Sequence, residues 1–164
     1  MAPDLRLRRA SAQDAAAISR LNNTFASEGQ MLTRTPEMIS LAIDDYVVVQ
    51  NTAGELLACG ALKEYSLSVA EVAAIAVSKD AHGKGLGRAI VSAVEDLARK
   101  RGIYDVFALT LQPEFFAAIG YLRVDRARYP EKLRRDCLGC ARRFACNEIC
   151  FAKNLTLEEI VRAA

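Results

Sequence analysis

The alternation Leu5-Arg6-Leu7-Arg8-Arg9 predicts a strand with one solvated face. Ser11 then stands as an N-cap for a helix reaching Phe25, with Ala15, Ile18 and Leu21 at helical spacing. Thr35-Pro36 predicts a second helix, because proline in the first turn lacks only an N–H that would go unpaired there. Tyr46–Gln50 and Leu56–Glu64 read as strands around the turn Asn51-Thr52-Ala53-Gly54. The apolar run Val72–Val77 predicts the next strand. From Gly85 onward, Leu86, Ile90, Val94 and Leu97 share one helix face, and Arg101-Gly102 is a stop. Val106–Leu111 predicts a strand, Pro113 opens a short helix, Tyr121–Val124 resumes the sheet, and Ile149–Ala152 is a last short strand. Thr156 and Glu159 form a capping-box pair for a C-terminal helical tail over 156–164. This succession of elements predicts an α/β chain with a mixed sheet flanked by helices.

The 164 residues suit a single domain over 1–164, large enough to bury one core. A hydrophobic content of 52% without low-complexity runs points to a folded chain. Lys plus Arg number 22 against 20 Asp plus Glu, a net +2 that gives no reason to expect nucleic-acid binding. No apolar run has the length of a membrane span and the N-terminus lacks the apolar stretch of a signal peptide, so a cytoplasmic location is expected.

Between the strand at 72–77 and the helix from 85 lies His82-Gly83-Lys84-Gly85-Leu86-Gly87, followed by Arg88. A helix start presents unpaired N–H groups and the positive end of a dipole, which favours an anion such as a pyrophosphate. A Walker A loop does not fit the spacing. A dinucleotide fingerprint fits poorly, since Arg88 stands where its third glycine belongs and Asp105 precedes a strand instead of ending one. A plain glycine-rich turn is the bland alternative.

The same residues resemble the coenzyme A loop of the GNAT acetyltransferases, Gln/Arg-x-x-Gly-x-Gly/Ala, with His82 replacing the first residue. The strand and helix at 5–25 and the segment Gln112–Tyr121, ending in Gly120-Tyr121, extend the likeness to roughly residues 4–153. Within the family the chain is most similar to the stand-alone N-acetylglutamate synthase type of amino-acid acetyltransferase. Met31-Leu32-Thr33-Arg34-Thr35, Cys59-Gly60-Ala61-Leu62, Ala70-Glu71-Val72, Leu109-Thr110, Pro130-Glu131-Lys132 and Asp136-Cys137-x-x-Cys140 carry that likeness. The resemblance implies the GNAT fold, with a central, mostly antiparallel mixed sheet. It also implies direct attack of an amine on acetyl-CoA in a ternary complex, with glutamate as acceptor and arginine biosynthesis as the setting.

The resemblance also assigns tasks. Backbone N–H groups of Gly83 to Arg88, including Gly85, Leu86 and Gly87, would hold the pyrophosphate, with Lys84 and Arg88 as charge partners. The N–H of Ile75 would stabilise the thioester oxygen, and Ile75, Ala76 and Val77 would pair the pantetheine chain. Glu71 stands where many members keep a carboxylate and is the candidate general base; a solvent-facing strand glutamate is the bland reading. Phe116 occupies the position of the usual tyrosine acid, cannot donate a proton, and is left to contact pantetheine. Thr110 and Tyr121 remain open as acids. For His82, a base role, loop geometry and a phosphate contact all stay open. Arg34, and secondarily Lys63, are candidates for the acceptor's carboxylate.

Cys137, Cys140, Cys146 and Cys150 fall as C-x2-C-x5-C-x3-C, open to zinc or to free or redox-active thiols, with Arg134-Arg135 and Arg142-Arg143 able to lower thiol pKa values. Cys150, in an apolar run, and Cys59 also read as core. Homodimerisation is a family-level expectation. The rival functions are acetylation of a protein N-terminus, a lysine or another small amine, and a non-catalytic acetyl-CoA or metal sensor.

Overall fold

The computed structural model describes residues 2 and 4–156. In chain order the elements are β1 (Leu5–Arg9), α1 (Ala15–Ala26), α2 (Pro36–Leu41), β2 (Tyr46–Asn51), β3 (Leu56–Glu64), β4 (Val69–Val77), α3 (Leu86–Lys100), β5 (Asp105–Thr110), α4 (Pro113–Ala118), β6 (Leu122–Arg123) and β7 (Ile149–Asn154). Their order is the expected one. The strands follow the sequence β1-β2-β3-β4-β5-β7-β6 in a seven-stranded sheet. β1/β2, β2/β3, β5/β7 and β6/β7 are antiparallel, while β4/β5 is parallel, so the sheet is mixed as expected. The expected tail at 156–164, with Glu159, lies outside the described residues except for Thr156. No helix among the described residues is long and apolar enough to cross a membrane.

The chain divides into two compact units, residues 1–62 with 72–97, and residues 63–71 with 98–164. In the first, Ile18 and Phe25 of α1, Ile39 of α2, Tyr46 and Val48 of β2, and Cys59 and Ala61 of β3 form one core with Ala74 and Ala76 of β4. Thr35 caps α2 by accepting from the Met38 N–H at 3.2 Å. Leu86, Ile90, Val94 and Leu97 are all buried, which confirms the apolar stripe of α3. Gly60 makes room for that helix. A Cβ there would sit 2.4 Å from Ile90 Cγ2 and 2.6 Å from Ile75 Cδ1.

β1 departs from the alternation expected of it. Leu7 is exposed, and Arg8 is half-buried because every arm of its fork finds a partner. Nη1 and Nη2 reach Asp14 at 2.7 and 2.9 Å, and Nε donates to Gln50 Oε1 at 2.6 Å. Asp14 also accepts from the Ser11 N–H at 2.7 Å, so a single 3₁₀ turn precedes α1.

In the second unit, Phe107, Tyr129, Cys150 and Ala152 form the core, with Tyr65, Val69, Leu109 and Val124 packed on it. Phe107 and Tyr129 stack with centroids 4.1 Å apart, and the Tyr129 hydroxyl donates to Asp105 at 2.8 Å. The parallel β4/β5 ladder is short, Val69–Glu71 against Asp105–Phe107. Residues 130–137, unassigned from sequence, form a helical turn at Pro130–Lys132 that widens into a π-helical turn at Leu133–Cys137.

Two stability predictions follow from the first unit. Hydrogen bonds from Arg8, reinforced by the Ser11 N–H and the Arg8 charge and opposed by burial, hold the Asp14 carboxyl down to about 2. Its folded pKa lies below its unfolded value of about 3.9, so its contribution is present above about pH 4 and disappears as pH falls toward about 2. Asp14→Asn should remove up to about 2 kcal/mol of pH-dependent stability in that window, read from urea midpoints at successive pH values. Gly60→Ala should destabilise by about 1–3 kcal/mol through overpacking against Ile90 and Ile75, with the urea m-value unchanged.

Candidate active site

The first unit carries the glycine-rich loop. Gly83 and Gly85 have φ of +77° and +75°, a left-handed backbone that β-carbon residues adopt only with strain. An added Cβ would meet nothing within 4 Å at either position, so conformation, not crowding, demands glycine in the protein alone. The loop delivers the chain into α3, where the Ala89 N–H is bonded to Gly85 O at 3.1 Å. The N–H groups of Leu86, Gly87 and Arg88 precede that bond and have no acceptor within the helix. Leu86 is buried and anchors the turn, while Lys84 and Arg88 are exposed. His82 Nε2 lies 2.8 Å from Val77 O, and its ring stacks on Phe25 with centroids 6.4 Å apart. A ring nitrogen that donates to a carbonyl holds a hydrogen, so His82 ties the loop back to the end of β4.

β4 contains an irregularity that hydrophobic patterning did not reveal. Ala74 has a φ of +54°, rare for a non-glycine residue. Its carbonyl accepts from Cys59 Sγ at 3.7 Å, and the Ala76 N–H donates to the same sulfur. Burial pushes the Cys59 thiol up to about 12, which keeps it neutral and able to donate. Cys59 is therefore core, as expected, and also satisfies the backbone on both sides of Ile75. The Ile75 side chain lies over Gly60. Cys59-Gly60 thus fixes the stretch Ile75–Val77 from below.

Arg34 is held by a polar stripe on α1. Ser19 Oγ and Asn23 Nδ2 donate to Arg34 O at 2.7 and 3.0 Å, and the Arg34 N–H donates to Asn23 Oδ1 at 3.0 Å. The guanidinium donates to Asn22 Oδ1 at 3.0 Å and Leu32 O at 3.4 Å. Both acceptors are neutral, and no carboxylate among the described residues pairs with it. Sequence reasoning missed this stripe. The available signal was Ser19 and Asn22 beside Ile18, polar residues that are in fact buried.

In the second unit Glu71 is 6% exposed, so the solvent-facing reading fails. Lys132 Nζ donates to its Oε2 at 2.9 Å, and the Tyr65 hydroxyl lies 2.9 Å from the same oxygen. Oε1 receives no hydrogen bond from the described residues. Asp136 completes the group. Its Oδ2 accepts from Lys63 Nζ at 2.6 Å and Lys132 Nζ at 3.1 Å, and from the Tyr65 hydroxyl. Lys63, the second candidate for the acceptor's carboxylate, thus lies in an ion pair with Asp136. Burial would discharge Lys132, but the charge of Glu71 and hydrogen bonds to Glu71 and Asp136 outweigh it and hold its pKa above the usual lysine value. Tyr65, Lys132 and Asp136 escaped sequence reasoning as site residues, although Pro130–Lys132 and Asp136-Cys137 had marked the segment that carries two of them.

Phe116 is buried, edge-on to Phe115 and Tyr121 with centroids 5.1 Å away in each case. Thr110 is also buried, and its Oγ1 accepts from the Gln112 N–H at 2.8 Å at the start of α4. The four clustered cysteines are free thiols. Among the described residues no three His, Cys, Asp or Glu side chains converge to hold a metal, so the zinc expectation finds no ligand set. Two of the thiols are raised by their surroundings. Burial pushes Cys150 up to about 11 and Cys137 upward, because desolvation outweighs the nearby positive charge.

Comparison with known proteins identifies the family. A Chlorobaculum tepidum protein, named an uncharacterized N-acetyltransferase, is 38% identical over 94% of this chain and 99% of its own length. The amino-acid acetyltransferase of Mycobacterium tuberculosis is 31% identical over 73% of this chain and 69% of its own. Among solved structures, N-acetylglutamate synthase from Neisseria gonorrhoeae, complexed with coenzyme A and N-acetyl-glutamate, superposes with a TM-score of 0.83 at 27% identity. That match covers 94% of this chain but only 36% of the synthase, so the chain spans about a third of its length. The acetyltransferase (GNAT) family itself matches residues 16–125, and the chain belongs to that family.

Proposed function

We propose that this acetyltransferase moves the acetyl group of acetyl-CoA to the α-amino group of an amino acid, and that the acceptor is L-glutamate. The observation that carries the reading is the state of Glu71. Its carboxylate is buried, fixed through Oε2 by Lys132 and Tyr65, and open at Oε1. An ammonium is mostly protonated at neutral pH and must lose a proton before it can attack, so an oriented carboxylate oxygen is the required base. The proton passes from the acceptor nitrogen to Glu71, and the freed lone pair attacks the thioester carbon. The C–S bond then breaks, the attacking nitrogen gives up its second proton to the departing sulfur, and coenzyme A leaves as the thiol.

The remaining tasks fall to the first unit. The Ile75 N–H, held by the Cys59 contacts to Ala74 and Ala76, is the proposed donor to the thioester oxygen as it becomes negative. Ile75–Val77 offers backbone to pantetheine. The N–H groups of Leu86, Gly87 and Arg88, with Lys84 and Arg88 beside them, suit a pyrophosphate. Arg34 holds the acceptor's carboxylate, a role supported by a guanidinium bonded to neutral oxygens alone. Glutamate is preferred on the strength of the Neisseria likeness, since that synthase was solved with N-acetyl-glutamate.

Thiol release from acetyl-CoA, measured with each common amino acid, should show glutamate as the best acceptor. No release with any free amino acid, despite coenzyme A binding, would sink this reading and direct attention to protein amines. Arg34→Ala should raise the KM for glutamate about tenfold or more while changing kcat less, the mark of lost ground-state binding. Glu71→Gln should lower kcat by about 10²–10³-fold and abolish the acidic limb of the pH profile.

A further inference from the structure

Arg34 commits one nitrogen of its fork to the protein. Nη1 donates to Asn22 Oδ1 at 3.0 Å and to Leu32 O at 3.4 Å. Asn22 is 1% exposed, and its own Nδ2 donates to Leu32 O at 2.9 Å, so the amide that orients Arg34 is itself fixed. Nε and Nη2 donate to no group among the described residues. Together they form the side-on edge of a guanidinium, which meets a carboxylate with two parallel N–H···O bonds. A carboxylate has about four lone-pair sites, so two of them still lack donors in such a pair. Withdrawing that anion from water without a further donor is costly.

Tyr46, at the start of β2, has such a donor. It packs in one core with Ile18 of α1, Ile39 of α2 and Cys59 of β3, on the sheet face that α1 and α2 cover. Arg34 belongs to the segment that joins those two helices. Tyr46 is 5% exposed, yet no group among the described residues hydrogen-bonds its hydroxyl, and the oxygen is not sealed off. The Arg34 charge acts on both the Tyr46 phenol and the Cys59 thiol, so the guanidinium faces the same interior surface. Burial pushes the phenol up and outweighs the pull of Arg34, so the hydroxyl keeps its hydrogen at neutral pH.

We propose that Tyr46 is an acceptor-binding residue, whose hydroxyl donates to the carboxylate that the side-on edge of Arg34 holds. The proposal rests on the reading that Arg34 binds the acceptor's carboxylate. Arg34 supplies the charge and two donors. Tyr46 supplies a third from a ring already held by the core, so little side-chain entropy is lost on binding. The ligand oxygen in turn gives the enclosed hydroxyl the partner that the protein does not provide.

The test compares wild type, Tyr46→Phe, Arg34→Ala and the double variant. Glutamate binding is read by calorimetry in the presence of coenzyme A, and KM is read for glutamate and for acetyl-CoA. Tyr46→Phe should weaken glutamate binding about tenfold while the KM for acetyl-CoA stays in place. Its urea midpoint should hold or rise, because the hydroxyl removed has no partner in the protein. In the double variant the loss should fall short of the product of the single losses, since both residues hold one carboxylate. Undiminished glutamate binding in Tyr46→Phe, a lowered urea midpoint, or losses that multiply in full would overturn the proposal. If wild type binds no amino acid, the proposed function falls and takes this inference with it. Any of the three contrary results in protein whose wild type binds glutamate removes this inference alone.

Discussion

A carboxylate withdrawn from water has to be matched by a positive charge, or it protonates. The ion pair of Glu71 with Lys132 meets that requirement, with side chains 8% and 15% exposed. The pair constrains much of its unit. Lys132 must arrive from a segment with no regular period of its own, and the turn opened by Pro130 and widened at Leu133–Cys137 brings it there. The same turn places Asp136 four residues on, where it shares Lys132 and recruits Lys63. Breaking such a pair from one side costs on the order of 3 kcal/mol, far more than an exposed ion pair contributes. The position and the charged surroundings of Glu71 are thus set by one cluster.

Arg34 and Lys63 show how a cation's availability depends on what holds it. Lys63 ends on Asp136, and its charge is spent within the protein. Arg34 ends on an amide oxygen and a carbonyl, which orient the guanidinium without neutralising it. Its backbone is bonded on both sides by α1, so the side chain begins from a fixed base. A charge oriented by neutral dipoles remains available to a carboxylate ligand at little cost in side-chain entropy.

Hydrophobic period and turn chemistry made the fold legible in the sequence. The α3 stripe, the Thr35-Pro36 start and the hairpin at Asn51–Gly54 each combine a local signal with a burial pattern that agrees with it. Glu71 stood out because it was the lone charge in an apolar strand. The rest was illegible for physical reasons. Lys132 reaches Glu71 across a sequence separation of 61 residues, and Asp136 joins the cluster through that lysine, which no local pattern encodes. Arg8 broke its alternation because Asp14 and Gln50 satisfied its charge. Ala74 takes a left-handed conformation with nothing in its identity to announce it.

The sulfur beneath that left-handed residue carries a consequence of its own. Cys59 reaches Ala74 O at 3.7 Å, a span suited to a large atom on a long C–S bond. A hydroxyl bonds an oxygen at about 2.5–3.0 Å, so a serine at this place would hang short of the carbonyl. The requirement at residue 59 is therefore one of reach and not of reactivity: a thiol held neutral by burial bridges to a carbonyl that a shorter hydroxyl would miss.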